Sequence, residues 1–278
     1  MVEVLPSYVA GAWATPDAGG KTVCDAVTGE PIVRVTSDGI DTSLMLAHAR
    51  EVGGPALRRL TFGGRAALIG SLAKHLSERK DEIYALAART GSTTKDAAFD
   101  IEGALNVLFV HASKGKVELP DSNVLLDGEV ERVSKRGTFQ AQHLLVPLRG
   151  VAVHINAYNF PVWGMLEKLA PSIVSGVPAI VKPATTTAFV AKAVFEQIID
   201  SGILPEGSVQ LLCGSVGDLL DHLTGQDVVA FTGSSATAEQ IRSHPAVVAR
   251  SVRVNAETDS LNSIILGPDA APGTPEFD

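Results

Sequence analysis

Four short segments in the second half of the chain carry residue types that can bind anions, polarise a carbonyl or move a proton. The first is Asn156-Ala157-Tyr158-Asn159-Phe160-Pro161. An asparagine held in such a turn can offer its amide to a developing oxyanion; Asn and Pro also serve simply to make a turn. The second is Val181-Lys182-Pro183-Ala184-Thr185-Thr186. A lysine just before a helix suits an anionic or ribose-bearing ligand, or is a solvated surface charge. The third is Phe231-Thr232-Gly233-Ser234-Ser235. The Ser234 hydroxyl and backbone N–H groups at a helix start can hold a phosphate, and an ordinary N-cap serine reads the same way. The fourth is Ala256-Glu257-Thr258. A partly desolvated carboxylate at a cleft wall can act as general base, or is a structural or solvated glutamate. Residue chemistry alone thus describes an anion site of nucleotide size and one candidate base. No G-x-G-x-x-G is present, so the usual dinucleotide fingerprint is missing.

These segments need elements to position them. From Gly150 onward, predicted strands alternate with helices. The strands are 151–155, 178–181, 209–212, 228–231 and 251–255, and the helices 163–175, 187–201, 216–223 and 235–243. A last strand is expected over 262–266. Such alternation predicts βαβ units and an open parallel α/β sheet with flanking helices. Ligands of such sheets bind beyond the carboxyl ends of the strands, where all four segments fall.

The first half is different. Residues 1–37 carry turn signals around Pro16–Gly20 and Thr28–Pro31, with two or three short strands between them. Asp41 is placed to cap a helix starting at Thr42. Apolar spacing predicts one helix from Phe62 to about Arg89, ended by Thr90-Gly91-Ser92, and another from about Lys95 to Ser113. Ile101, Leu105, Leu108 and Phe109 are expected on one face of the latter. Residues 118–134 read as an acidic loop and 138–147 as a strand, an excursion towards another domain or subunit. The expected organisation is therefore 1–117 as strands and helices, 118–149 as the excursion, 150–267 as the βα region and 268–278 as a tail.

Composition narrows the function. The chain has 278 residues, 45% apolar and 19% charged, as a folded soluble protein has. No apolar run approaches the ~18 residues of a membrane span, and Met1–Pro6 shows no secretory signal. A net charge of −8 argues against a general nucleic-acid surface. Cys24 and Cys213 form no C-x-x-C pair, and the seven histidines are scattered. The expectation is a cytoplasmic protein with reduced thiols, no metal site, no nucleic-acid partner and no membrane partner.

In this order and spacing, Asn-x-x-Asn-Phe-Pro, Lys-Pro-Ala, Phe-Thr-Gly-Ser and a strand-end Glu resemble the NAD(P)-dependent aldehyde dehydrogenase superfamily. The resemblance extends over essentially the whole chain. The stretches 155–171 and 213–223 are similar to the branch serving CoA-thioester routes of aromatic catabolism, in phenylacetate or benzoate breakdown. The resemblance implies a Rossmann-like sheet, a small-molecule aldehyde as substrate and a homo-oligomeric parent enzyme. By position, Asn159 matches the oxyanion-stabilising asparagine, Glu257 the general base and Lys168 a supporting lysine near the active site. Lys182 matches the lysine on the adenosine ribose and Ser234 the serine on the pyrophosphate. Further cofactor contacts are expected at Ile155, Asn156, Ala184, Thr185, Gly214, Phe231, Thr232 and Gly233.

Departures from the family pattern carry expectations of their own. NAD-preferring members usually have Glu where this chain has Thr185. A carboxylate would repel a 2′-phosphate and a threonine can hydrogen-bond to it, so NADP is expected in preference to NAD. The usual glycine four residues after the serine is Ala238, whose methyl group would crowd the cofactor or alter the helix start. The usual Gly-Gly after the base is Thr258-Asp259, which would restrict rotation of Glu257. The family's nucleophilic cysteine lies farther beyond the glutamate than the 21 residues that follow Glu257 here. Neither cysteine matches it. The expectation is the cofactor-binding part of a longer dehydrogenase without its catalytic domain, the alternative being a non-catalytic dinucleotide-binding module or inactive fragment.

Overall fold

The computed structural model describes residues 2–16, 19–261, 265–275 and 277. Four N-terminal strands take the place of the two or three expected. Strands β1 (Ser7–Val9) and β2 (Ala12–Ala14) reverse at Ala10-Gly11, both in the left-handed region, and β3 (Lys21–Cys24) pairs with β4 (Pro31–Val35). The Asp41 carboxylate caps α1 (Thr42–His48), accepting from the Leu44 N–H at 2.9 Å. A π-helical segment, Ala49–Gly53, leads from α1 into α2 (Gly54–Arg58).

The helix expected over 62–89 is in fact two, α3 (Phe62–Ser77) and α4 (Lys80–Ala87). The backbone leaves helical geometry at Arg79, and Asp81 and Glu82 suit the positive end of the new helix. Helix α5 (Thr94–Val117) buries Ile101, Leu105 and Leu108 but leaves Phe109 largely exposed. Phe109 lies about 100° round the helix from Leu108, beyond the edge of the buried stripe.

Residues 118–134 are not all loop. Strands β5 (Leu125–Arg132) and β6 (Gln140–Leu145) form an almost wholly exposed hairpin. Asp127-Gly128-Glu129, inside the expected loop, is taken up within the strand, where the register shifts and Gly128 adopts φ +79°.

The chain then winds through β7 (Ala152–Ile155), α6 (Trp163–Val174), β8 (Ala179–Lys182), α7 (Ala188–Asp200) and β9 (Val209–Leu211). It returns through β10 (Val228–Gly233), α8 (Ser235–Ser243), α9 (Pro245–Ala249) and β11 (Arg253–Thr258). The helix expected at 216–223 is only the 3-10 turn Leu219–His222, since Gly217 sits at φ +54°, outside helical space. Strand β11 extends past residue 255, so Glu257 lies within the strand rather than after it. Of the strand expected over 262–266, residues 262–264 lie outside the described residues and 265–266 are irregular.

The sheet order is β11-β10-β7-β8-β9-β1-β2. The first five strands are parallel, and β1 runs antiparallel to β9 and β2. Strands β8 and β9 extend to one side of β7, and β10 and β11 to the other. The order therefore reverses between β7 and β10, and a crevice opens there at the carboxyl ends. Alternate residues feed two cores. Ala152 and Val181 pack with Leu108, Leu166 and Phe195 on one face, and Val153 and Val229 with Met45 and Ile241 on the other. Buried Asp227 ties the strand starts together, accepting from Arg50 at 2.6 Å and from the Val151 N–H at 2.8 Å. No described helix is long and apolar enough to cross a membrane.

Candidate active site

Strand register brings the predicted segments to one edge. Lys182 pairs with Ile155, Ile155 with Phe231 and Phe231 with Ala256, forming a row across four strands. One residue farther on, Thr232 pairs with Glu257, and its hydroxyl donates to Glu257 Oε2 at 3.3 Å. The Asn156 N–H donates to the Lys182 carbonyl at 3.0 Å.

Above this row a cavity of about 260 Å³ is lined by Ala157, Asn159, Gly164, Thr232 and Glu257. Phe99, Phe160, Trp163 and Glu167 complete it. Asn159 and Glu257, the expected oxyanion donor and base, thus face one space. Lys168 does not share it. It lines a neighbouring cavity of about 530 Å³ that also includes His154, Ser172, Asn255 and Glu257. Glu257 borders both cavities. The Lys168 ammonium donates to Glu167 Oε1 at 3.0 Å, while Trp163 Nε1 donates to Glu167 Oε2 at 2.8 Å. His154 is buried against Ser172, with Nε2 and Oγ 3.0 Å apart. Burial, and then the Lys168 charge, push its pKa down to about 3, so the ring is neutral.

The loop carrying Asn159 is held from outside the sheet. The Asp100 carboxylate on α5 accepts the Trp163 N–H at 2.6 Å and the Val162 N–H at 3.2 Å, capping α6. Gly103, one turn along, has no Cβ because one would run into the Trp163 ring. Phe99 stacks on Trp163 with ring centroids 6.5 Å apart.

The residues expected to touch a cofactor divide by burial. The Ile155 and Phe231 side chains belong to the core, which leaves their backbone groups available at the edge. Gly214, at φ +114°, packs against the backbone of Thr36 and Ser37, where a Cβ does not fit. Ala184 is extended and leads into the 3-10 turn Thr185–Thr187, with Thr185 half-buried. Two groups at the strand ends are desolvated. The Asn156 amide is buried with neither its nitrogen nor its oxygen hydrogen-bonded. The Lys182 ammonium is largely desolvated, which lowers its pKa. Buried polar groups without partners are uncommon and call for a ligand or a water.

At the start of α8, the Ser234 hydroxyl accepts from the Thr237 N–H at 3.3 Å. Ala238 is buried in the core and also lines a cavity with Ser235 and Thr258 at this end of the helix. Asp259 does occupy that end, accepting from the Ser235 N–H at 2.8 Å. Sequence reading did not single out Asp100 or Glu167. The available signal for Asp100 was an acid inside the apolar stripe formed by Ala97, Ile101 and Ala104. Among the described residues, no group of three or more His, Cys, Asp or Glu is placed to hold a metal ion.

Comparison with known proteins fits this geometry. The sequence pattern of the aldehyde dehydrogenase family matches residues 13–272. The chain is 49% identical over 275 residues to 3,4-dehydroadipyl-CoA semialdehyde dehydrogenase of Aromatoleum evansii, covering 99% of this chain and 53% of that protein. It is 26% identical to the NADP(+) succinate-semialdehyde dehydrogenase of Escherichia coli strain K12, covering 84% of this chain and 48% of that one. The fold is similar to lactaldehyde dehydrogenase from Escherichia coli, with a TM-score of 0.78 and 22% identity, covering 93% of this chain and 52% of that structure. The chain spans about half the length of the curated relatives it matches. On the family match and the relative at 49% identity, the chain belongs to the aldehyde dehydrogenase family.

Proposed function

We propose that this chain is the dinucleotide-binding part of an enzyme that oxidises a CoA-linked semialdehyde to the carboxylic acid, with NADP preferred over NAD. The observation that carries the reading is the convergence of Asn159 and Glu257 on one cavity at the switch point of the sheet. The name of the Aromatoleum evansii relative supports the substrate class. Cytoplasmic location and homo-oligomeric assembly of the whole protein through the 118–149 hairpin belong to the same reading, as does the division at residues 117, 149 and 267.

The residues present fit a dinucleotide. At the strand ends the buried Asn156 amide has no hydrogen-bond partner and the Lys182 ammonium is largely desolvated. Lys182 and Thr185 hold the adenosine ribose and its 2′-phosphate, and Ser234 with the start of α8 holds the pyrophosphate. Ile155, Asn156, Ala184, Gly214, Phe231, Thr232 and Gly233 shape the groove between them. Bound there, the dinucleotide supplies the acceptor for the two electrons and the hydrogen that the aldehyde loses. Asn159 donates its amide to the developing oxyanion. Glu257 takes a proton from water at a carboxylate oxygen, with Thr232 orienting that carboxylate. Lys168 fixes Glu167 beside the same cavity and supports the site from behind.

Calorimetric titration with NADP+ and NAD+ tests the reading. The chain is expected to bind NADP+ more tightly, and Lys182→Ala to lose most of that affinity. Binding of neither dinucleotide would overturn it.

A further inference from the structure

We propose that Asp259 is a positioning residue that ties the Glu257 segment to the open end of α8, and that a bound diphosphate must displace its carboxylate. The proposal rests on the cofactor reading above and adds a coupling between cofactor binding and the mobility of the base.

The tie is reciprocal. The Asp259 carboxylate accepts from the Ser235 N–H at 2.8 Å, and the Asp259 N–H donates to the Gly233 carbonyl at 3.0 Å. Two residues of the β10–α8 turn are therefore bound to one residue that follows β11. Glu257 lies two positions before it, in register with Thr232. The segment from the base to the tie is anchored at both ends, by strand pairing and by Asp259.

The tie has a backbone cost. Asp259 sits at φ +65°, in the left-handed region that non-glycine residues seldom occupy. Aspartate tolerates it better than most residues because its short side chain can bond locally. Glycine would adopt the conformation with less strain, would keep the N–H bond to the Gly233 carbonyl and would lose the carboxylate bond to Ser235.

The tie also places a negative charge where an anion is expected. Free N–H groups and the helix dipole make a helix start favourable to one anion. Of the α8 donors, the Thr237 N–H is taken by Ser234 and the Ser235 N–H by Asp259. A diphosphate arriving at this end meets an occupied donor and a like charge. Its binding frees the Asp259 carboxylate, which leaves the segment after Glu257 held by the single N–H bond to Gly233. The empty chain thereby holds the base still, and the loaded chain lets it move.

The experiment uses the 278-residue chain and its variants Asp259→Asn and Asp259→Gly, the latter suited to the backbone angle and so expected to fold. NADP+ affinity is measured beside that of adenosine 2′-monophosphate, which has no diphosphate. Neutralising the charge should tighten NADP+ binding roughly threefold in the Asn variant and roughly tenfold in the Gly variant. Adenosine 2′-monophosphate should bind all three proteins alike. Hydrogen exchange over residues 257–260 should speed up in the parent when NADP+ binds and be fast in the Gly variant without it. Equal NADP+ affinity in all three proteins, or weaker binding by the Gly variant, would overturn the proposal and leave the cofactor reading standing. Equal gains for both ligands would also overturn it, since the effect would not involve the diphosphate. Failure of all three proteins to bind NADP+ would overturn the cofactor reading and this proposal together.

Discussion

The Asp100 carboxylate accepts the Trp163 N–H at 2.6 Å, so a side chain on α5 caps a helix 63 residues away in sequence. The loop that presents Asn159 ends at this cap. Loop position therefore depends on a buried acid in the N-terminal half of the chain.

Asp100 should make stability depend on pH. Burial raises its pKa from the ordinary 3.8 to about 6, against the pull of its two N–H donors. The folded chain then keeps a proton that the unfolded chain has released. Stability from this group is present in full below about pH 4 and is lost as the pH rises through about 6. Denaturant midpoints measured across that window should slope downward in the parent and flatten in Asp100→Asn. Asp100→Ala, which leaves two amide hydrogens uncapped, should cost about 1–2 kcal/mol at neutral pH.

Cofactor preference should turn on Thr185. Thr185→Glu places a carboxylate in the half-buried turn after Ala184. It should weaken NADP+ binding by tenfold or more, on the order of a like-charge repulsion at short range, and spare NAD+. Competitive titration of the two dinucleotides against both proteins checks this. An unchanged ratio would remove the argument.

Lys182 should respond to alkali sooner than a surface lysine does. Burial lowers its pKa from the usual 10.5, so its positive charge is lost at a lower pH than for an exposed lysine. Dinucleotide affinity should fall as the pH rises into that range. Lys182→Arg, which stays charged, should abolish the fall even where its own affinity is lower. Binding titrations over a pH series report both.

Glu257 should matter for turnover and not for binding. In the whole protein, Glu257→Gln should cost 10²–10⁴-fold in turnover, a typical loss for a general base. In the chain itself, dinucleotide affinity should stay within about twofold, because the carboxylate faces the cavity shared with Asn159 and not the α8 end. A large loss of affinity would move Glu257 from base to binder.

Gly103→Ala should destabilise the chain by about 1–3 kcal/mol, because the added methyl meets the Trp163 ring across the α5–α6 contact. Thermal melting reads the loss. The α6 start should loosen with it, seen as faster hydrogen exchange near Asn159.

Much of the βα region was legible in the sequence because its signals are local. The apolar runs at Val151–Ile155 and Val228–Phe231 and the Ser234 cap each work within a few residues, as does the Asp41 cap in the N-terminal half. The placement of Asn159, Lys182, Ser234 and Glu257 followed from the same alternation, since each lies at or near the carboxyl end of a strand. Reading failed where local pattern and tertiary contact disagree. Apolar spacing runs on through Glu78-Arg79, yet the chain breaks there into α3 and α4. Strand β6 falls within the strand expected over 138–147, whereas β5 lies in the segment read as a loop and is almost wholly exposed, so no burial marks it.

By itself the sequence determined the strand–helix alternation, the order of the four motifs and the residue types at each strand end. Backbone sterics and apolar burial write those features over a few consecutive residues. Only the tertiary structure decided that β10 returns to the far side of β7, which brings Glu257 to face Asn159. It alone showed Asp100 capping α6, Lys168 in the neighbouring cavity and Asp259 closing the end of α8. Each of these is a contact between segments distant in sequence. It is set by how helices and strands fill one core, and no local pattern records that.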